Sequence, residues 1–167
     1  MKAITVGIAD CQVSKDADAT LVTHALGSCI AVVVHDPLAG VGGLLHLMLP
    51  ESSIDSQKAK NLPFMFADTG IPQLFHSAYA LGAEKKRMSV RLIGGAQVMD
   101  PNGIFNIGKR NHLACRKLLW MAGVGVHGEV VGGSVSRTVR LMVGSGQVLW
   151  STGAGELQEL RAAVGRS

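Results

Sequence analysis

Residues 23–50 read THALGSCIAVVVHDPLAGVGGLLHLMLP, and this stretch decides the fold. Ile30 to Val34 is an apolar run rich in β-branched residues, Asp36-Pro37-Leu38-Ala39-Gly40 carries turn chemistry, and Val41 to Leu49 is apolar again. The pattern is that of a β-hairpin. A symmetric turn closing on His35 and Gly40 sets Ala31 against Leu44 and Cys29 against His46. Directly opposed residues share a face of the sheet, with Cβ atoms about 4.5 to 5.5 Å apart. A thiol and an imidazole at that separation can exchange a proton, which is the pairing a cysteine nucleophile needs. A slip of one residue would put them on opposite faces.

Thr20 to Leu26 reads as another short strand, and Gly27-Ser28 bends the chain just before Cys29. Glycine there permits close backbone approach, and the bend can aim the amides of Ser28 and Cys29 at a reacting carbonyl as an oxyanion hole. Thr23 precedes the thiol by six residues, near enough to supply the group that orients a histidine, through its hydroxyl or its carbonyl. A plain structural reading stands beside this one. Buried cysteines are ordinary core residues, and a histidine in an apolar strand is commonly a satisfied core side chain.

A length of 167 residues fits one domain, 1–167, long enough to bury a core, with a tail from about residue 155 that reads as a frayed amphipathic helix or as irregular chain. Aromatics make up only 4% of the residues, so the core is built of Val, Leu, Ile, Ala and Met. No apolar run approaches bilayer length and no export leader is visible, so the expectation is a cytoplasmic protein without membrane insertion. Cys11, Cys29 and Cys115 are odd in number and show no CxxC spacing, which argues against a disulfide framework. The net charge of +4 permits nucleic-acid binding, but few aromatics are present to stack on bases, and an acidic protein surface suits the charge as well.

Along the chain, Ala3 to Ile8 reads as a strand, Asp10 to Asp18 as a polar connection, and Glu51 to Asn61 as a charged surface loop. Ile71, Leu74, Phe75, Ala78 and Leu81 recur at helical spacing, with Asp68 placed to cap and Gly82 to stop the helix. Met88 to Ile93 is a strand ending at Gly94-Gly95-Ala96. Gly103 to Arg110, GIFNIGKR, has the glycine–lysine spacing of a phosphate-binding loop, but Arg110 stands where the magnesium-binding hydroxyl belongs. A helix beginning at Asn106 or Gly108 and running to about Ala122 is the better reading. His112 and Cys115 lie three apart on it, two potential metal ligands without two more. Val124 to Val131, with a structural His127, and Arg137 to Val143 are strands, and Gln147 to Trp150 adds a short one. Strands and helices without regular βαβ repetition indicate a mixed α+β domain.

The segment LGSCIAVVVHDPLAGVGGLLHLMLP resembles the signature of the chemoreceptor glutamine deamidase family CheD. Phe66-Ala67-Asp68-Thr69-Gly70, Ile93-Gly94-Gly95-Ala96, Ile107-Gly108-Lys109-Arg110-Asn111 and Gly132-Gly133 with Arg137 follow in the family's order, and the resemblance spans about residues 3 to 150. Lys109 departs from it, standing where an acidic residue is common. The resemblance implies a β-sandwich flanked by helices, similar to the catalytic domain of the cytotoxic necrotizing factor toxins. It makes Cys29 the nucleophile, His46 the histidine and Thr23 the threonine of a cysteine-dependent hydrolase that needs no cofactor or metal. Its substrates are glutamines of methyl-accepting chemotaxis receptors, converted to glutamate through a thioester. An alternative within the same resemblance is a binding module that regulates a CheC-type chemotaxis phosphatase with little catalysis, so such a phosphatase is a second expected partner. A third reading keeps the chemistry and substitutes a small amide as substrate.

Overall fold

The computed structural model describes residues 2–98, 105–153 and 155–163. Their strands make two five-stranded sheets. In spatial order the first holds β1 (Lys2–Thr5), β3 (Ala19–Leu26), β8 (Arg137–Met142), β9 (Val148–Thr152) and β10 (Gln158–Glu159). The second holds β2 (Asp10–Ser14), β5 (Val41–Leu47), β4 (Ile30–Asp36), β6 (Ser89–Gly94) and β7 (Gly128–Val131). Parallel pairing occurs at β1/β3 and β6/β7, and the remaining pairs are antiparallel. Among the described residues three α-helices accompany the sheets: α1 (Ser56–Asn61), α2 (Ala67–Ala80) and α3 (Ile107–Met121).

The alternation of side chains along β4 and β5 divides the interior in two. Ala31, Val33 and Leu44 join Leu21, Val139 and Leu141 in a core between the sheets. Ile30, Val32, Val34, Leu45 and Leu47 point the other way and pack with Ile71, Leu74, Phe75, Cys115 and Leu119 of α2 and α3. The second sheet is therefore covered on both faces, which is why its central strands read as unbroken apolar runs. Each fully buried aliphatic side chain here is worth about 1.5–3 kcal/mol of transfer free energy. The result is an α+β sandwich with helices on one outer face.

The hairpin forms, but its register lies two residues from the symmetric expectation. The last pair is Asp36 with Val41, and Ala31 faces His46 rather than Leu44. Asp36 causes the shift: its carboxylate accepts from the Leu38 and Ala39 amides, so the turn is built on Asp36 rather than His35. A shift of two preserves the faces, as a shift of one would not.

Other elements depart further from the sequence reading. Asp10–Ser14, expected to be a connection, is an edge strand on β5, with Cys11 opposite Leu45 and Val13 opposite Gly43. The polar stretch before Asn61 folds into α1, whose cap is Asp55 accepting from the Lys58 amide. Asp68 does not cap α2; its carboxylate accepts from the amide and hydroxyl of Ser52. His127 lies just outside β7, and its Nδ1 accepts from the Val90 amide at 3.0 Å, a structural role as expected. In the tail, Gln158–Glu159 pairs with β9 instead of forming a helix, while residues 164–167 of that tail lie outside the described residues. No described helix is long and apolar enough to cross a membrane.

Candidate active site

Thr23 and His46 come from different sheets and meet in the space between them. Thr23 shares the inward face of β3 with Leu21, and His46 shares that of β5 with Leu44; both are fully buried. Thr23 Oγ1 lies 2.7 Å from His46 Nδ1 and 2.7 Å from the Val6 carbonyl oxygen. A hydroxyl has one proton, and a carbonyl oxygen can only accept. The Thr23 proton therefore goes to Val6, and Oγ1 accepts from an Nδ1–H of His46. The hydroxyl, not the Thr23 carbonyl, orients the ring. This arrangement leaves Nε2 as the bare nitrogen, and Nε2 is buried with no hydrogen-bond partner among the described residues. Burial also pushes the imidazole down to about 4, so His46 is neutral at physiological pH and its free lone pair can take a proton.

Cys29 sits in the loop between β3 and β4, half-buried against the inter-sheet core. Ala31 faces His46, so Cys29, two positions earlier, lies on the same side and diagonal to the imidazole rather than directly across from it. Diagonal neighbours are about 7–8 Å apart along the ladder. Burial raises the Cys29 thiol above its ordinary value, with a smaller opposing effect from its own amide. The resting pair is a neutral thiol and a neutral imidazole, not a preformed ion pair.

Three contacts fix the loop that carries Cys29. The Gly95 amide donates to the Cys29 carbonyl and the Ala96 amide to the Gly27 carbonyl, both at 2.8 Å. Gly94, at a φ of +122°, lies so close that a Cβ on it would stand 2.2 Å from the Cys29 carbonyl oxygen. The glycine required for close approach is thus Gly94 on β6. Gly27 has no such need, since a Cβ there would meet only Val98 at an ordinary 3.6 Å. The third contact is Asn111, fully buried on α3, whose Nδ2 donates at 2.9 Å to the Ser28 carbonyl and at 2.9 Å to the Met48 carbonyl. Sequence alone assigns Asn111 no role. Its partners are 83 and 63 residues away, and only the motif around it marked the position.

A cleft of about 440 Å³ opens over Cys29, bounded by Ala25, Ser28, Gln97, Ser136 and the first residues of α3, Ile107 and Gly108. The first amides of a helix lack intrahelical acceptors and carry the positive end of its dipole, so this wall favours negative charge developing in the cleft. Neither the Ser28 nor the Cys29 amide donates to another main-chain carbonyl among the described residues outside the sheet ladders.

The remaining candidates separate. Gly108 of the phosphate-loop-like segment is packed against the Gly95 and Ala96 carbonyls, where a Cβ would lie 2.5 Å from oxygen, so the glycine serves the close approach of α3 to the chain after β6; Gly103 lies outside the described residues. Cys115 is buried under the second sheet, while His112 faces Glu129 at 3.2 Å, so they do not share a ligand position. Cys11 and Cys115 are both pushed up to about 12 by burial, which leaves Cys29 as the thiol nearest reactivity. Lys109 is exposed at the start of α3.

A two-sheet sandwich with a thiol lining a cleft and an oriented neutral imidazole buried on the same face of the sheet belongs to the class of folds able to support cysteine-dependent acyl chemistry. Residues 48–152 match the family described as CheD chemotactic sensory transduction. The chain is 51% identical over 160 residues to a probable chemoreceptor glutamine deamidase CheD of Solibacter usitatus, covering 96% of this chain and 94% of that one. It is 50% identical over 157 residues to a protein of the same description from Syntrophus aciditrophicus, covering 94% and 98%. A further relative from Anaeromyxobacter dehalogenans is 50% identical over 153 residues, covering 92% and 96%. The chain belongs to the CheD family.

Proposed function

We propose that this protein deamidates glutamines of chemotaxis receptors in the cytoplasm, the activity its relatives' descriptions name, and that Cys29, His46 and Thr23 carry the reaction. The observation that supports this most is the single orphaned nitrogen of the site, the Nε2 of a buried neutral histidine whose other nitrogen is held by Thr23. Such a nitrogen is a proton acceptor waiting for a donor, and the Cys29 thiol lies on the same face.

In this reading the glutamine carboxamide enters the cleft and Cys29 Sγ attacks its carbon while the thiol proton passes to His46 Nε2. The elevated thiol makes attack and proton transfer concerted, because a free thiolate is disfavoured beforehand. The carbonyl oxygen becomes an oxyanion facing the Ser28 and Cys29 amides, with the start of α3 across the cleft. His46 then gives its proton to the departing nitrogen, ammonia leaves, and a thioester links Cys29 to the side chain. Water, deprotonated by Nε2, attacks the thioester, releasing glutamate and restoring the thiol. The receptor gains one negative charge per glutamine. Thr23 holds the imidazolium by accepting from Nδ1–H with a neutral oxygen, which stabilises it less than a carboxylate would.

The same reading treats residues 1–167 as one deamidase unit and leaves a CheC-type phosphatase as an additional partner, checked by co-purification. The direct test is ammonia release from a receptor cytoplasmic fragment. Release by the protein and none by its Cys29→Ala variant is expected. Equal release by both would remove Cys29 from the reaction.

A further inference from the structure

Asn111 is the residue through which the two reacting groups share one anchor. Its NH₂ group donates both of its protons, one to the carbonyl of Ser28, the residue before Cys29, and one to the carbonyl of Met48, two residues after His46. Neither carbonyl accepts from another main-chain amide outside the ladders among the described residues. One side chain therefore spans the loop that presents the thiol and the strand end that presents the imidazole. Its Oδ1 is buried and unpartnered. A buried acceptor left without a donor is unfavourable, but an apolar side chain of the same size would leave the two carbonyls unpaired instead. What the amide alone supplies is two donors from one rigid plane.

We propose that Asn111 is a positioning residue that sets the distance between Cys29 Sγ and His46 Nε2; this rests on the roles given to those two residues above. The β4/β5 ladder pairs Ile30 with Leu47 and Ala31 with His46 from one residue beyond Cys29, while the thiol loop itself is held to β6 through Gly94 and Gly95 and the imidazole to β3 through Thr23. Asn111 is the side chain that ties the two to each other, and it does so from α3, whose first turn also walls the cleft. One helix thus contributes to placing the thiol loop, the end of the histidine strand and a wall of the cleft.

The diagnostic change is Asn111→Asp, which keeps shape and replaces the NH₂ with an oxygen. At neutral pH a carboxylate faces two carbonyl oxygens, and both attractions become repulsions. Protonation restores one donor. The expected result is a kcat per alkylatable Cys29 lowered about 10²-fold at neutral pH, the scale of an ångström-sized misplacement, with KM nearly unchanged. That kcat should partly recover as pH is lowered toward 5.5, where the wild type does not gain. Asn111→Leu, matched in size without donors, should show the same kcat loss and no recovery. Should either variant fold poorly, Asn111→Ser retains a single donor and should give an intermediate kcat.

Alkylation of Cys29 by iodoacetamide needs no receptor and separates the two hypotheses. If the wild type deamidates nothing, the receptor assignment fails, yet a slowed alkylation in the Asp and Leu variants would still support the anchor. If variants lose only melting temperature while kcat per titrated thiol, its pH dependence and the alkylation rate match the wild type, Asn111 is a scaffold residue and the proposal is overturned.

Discussion

Replacing Thr23 by Val keeps the side chain's shape and removes one oxygen that serves two buried partners. Val6 loses the donor to its carbonyl and His46 the acceptor for Nδ1–H, each a 2.7 Å bond in a region sealed from solvent. A buried polar group left unpaired costs about 1–3 kcal/mol, so the variant should lose about 2–4 kcal/mol, less than the full sum because the new methyl group packs where the hydroxyl was. The histidine has no better option. Turning to the other tautomer frees Nδ1 of its proton but places one on Nε2, which is equally buried and unpartnered. The energetic preference for Nδ1–H therefore disappears, and with it the guarantee of a bare Nε2. Catalysis should fall about 10- to 100-fold, a part of what a general base supplies. Urea unfolding measures the first effect, and long-range ¹⁵N–¹H correlation of the imidazole reports the tautomer directly. Thr23→Ser, which retains the hydroxyl, should keep the Nδ1–H form and most of the activity. A wild type carrying Nε2–H, or a Val variant with unaltered stability and tautomer, would refute the reasoning.

The remaining predictions concern titration and the supports of the site. His46 sits near 4 in the fold against 6.5 when unfolded, so the unfolded chain binds the extra proton between those values. Its contribution to stability is complete above pH 6.5 and lost as pH falls through about 4, a change of about 3 kcal/mol. The acid limb of kcat/KM should fall with the same group, near pH 4; a limb near 6.5 would show that the base is a solvated histidine. Asp36→Ala strips the hairpin turn, the Glu84 amide and Arg87 of their shared acceptor, whose carboxyl Arg87 and the amides hold down to about 2 despite burial. It should cost about 3–5 kcal/mol by denaturant unfolding, and a loss below 1 kcal/mol would contradict the buried pair. Gly94→Ala combines a left-handed φ of +122° with a Cβ 2.2 Å from the Cys29 carbonyl, so it should destabilise by about 3 kcal/mol and change the rate of Cys29 alkylation. A stable variant with native alkylation would mean that β6 does not hold the loop.

How much of this was legible follows from the range of each interaction. The β4/β5 hairpin was visible because its signal is local: two apolar runs around turn residues. Its register lies two residues from the symmetric one because the side chain of Asp36 decides the turn, and the sequence does not say which of its polar residues will fold back. Asp10–Ser14 reads as a connection because it is polar at alternate positions, although Cys11 and Val13 hold the apolar half of a strand pattern. The short β10 exists only by pairing with β9 and has no intrinsic preference to show. Hairpin pairing brings Cys29 and His46 together and spacing adds Thr23, with the family resemblance agreeing, but the Val6 carbonyl that fixes the tautomer and Asn111 that joins the loops act at long range. Nothing local in valine or asparagine announces those roles.

In the proposed reaction Cys29, relieved of its proton by His46, turns receptor glutamines into glutamates through a thioester. Peptide mass spectrometry of a receptor cytoplasmic fragment, incubated in ¹⁸O-labelled water with the protein, with Cys29→Ala and with His46→Ala, tests it most directly. A gain of about 3 mass units is expected at particular glutamines, amide replaced by an acid carrying one labelled oxygen, seen with the wild type and absent with both variants. Unchanged glutamines with the wild type, or labelled glutamates that persist without Cys29, would contradict it.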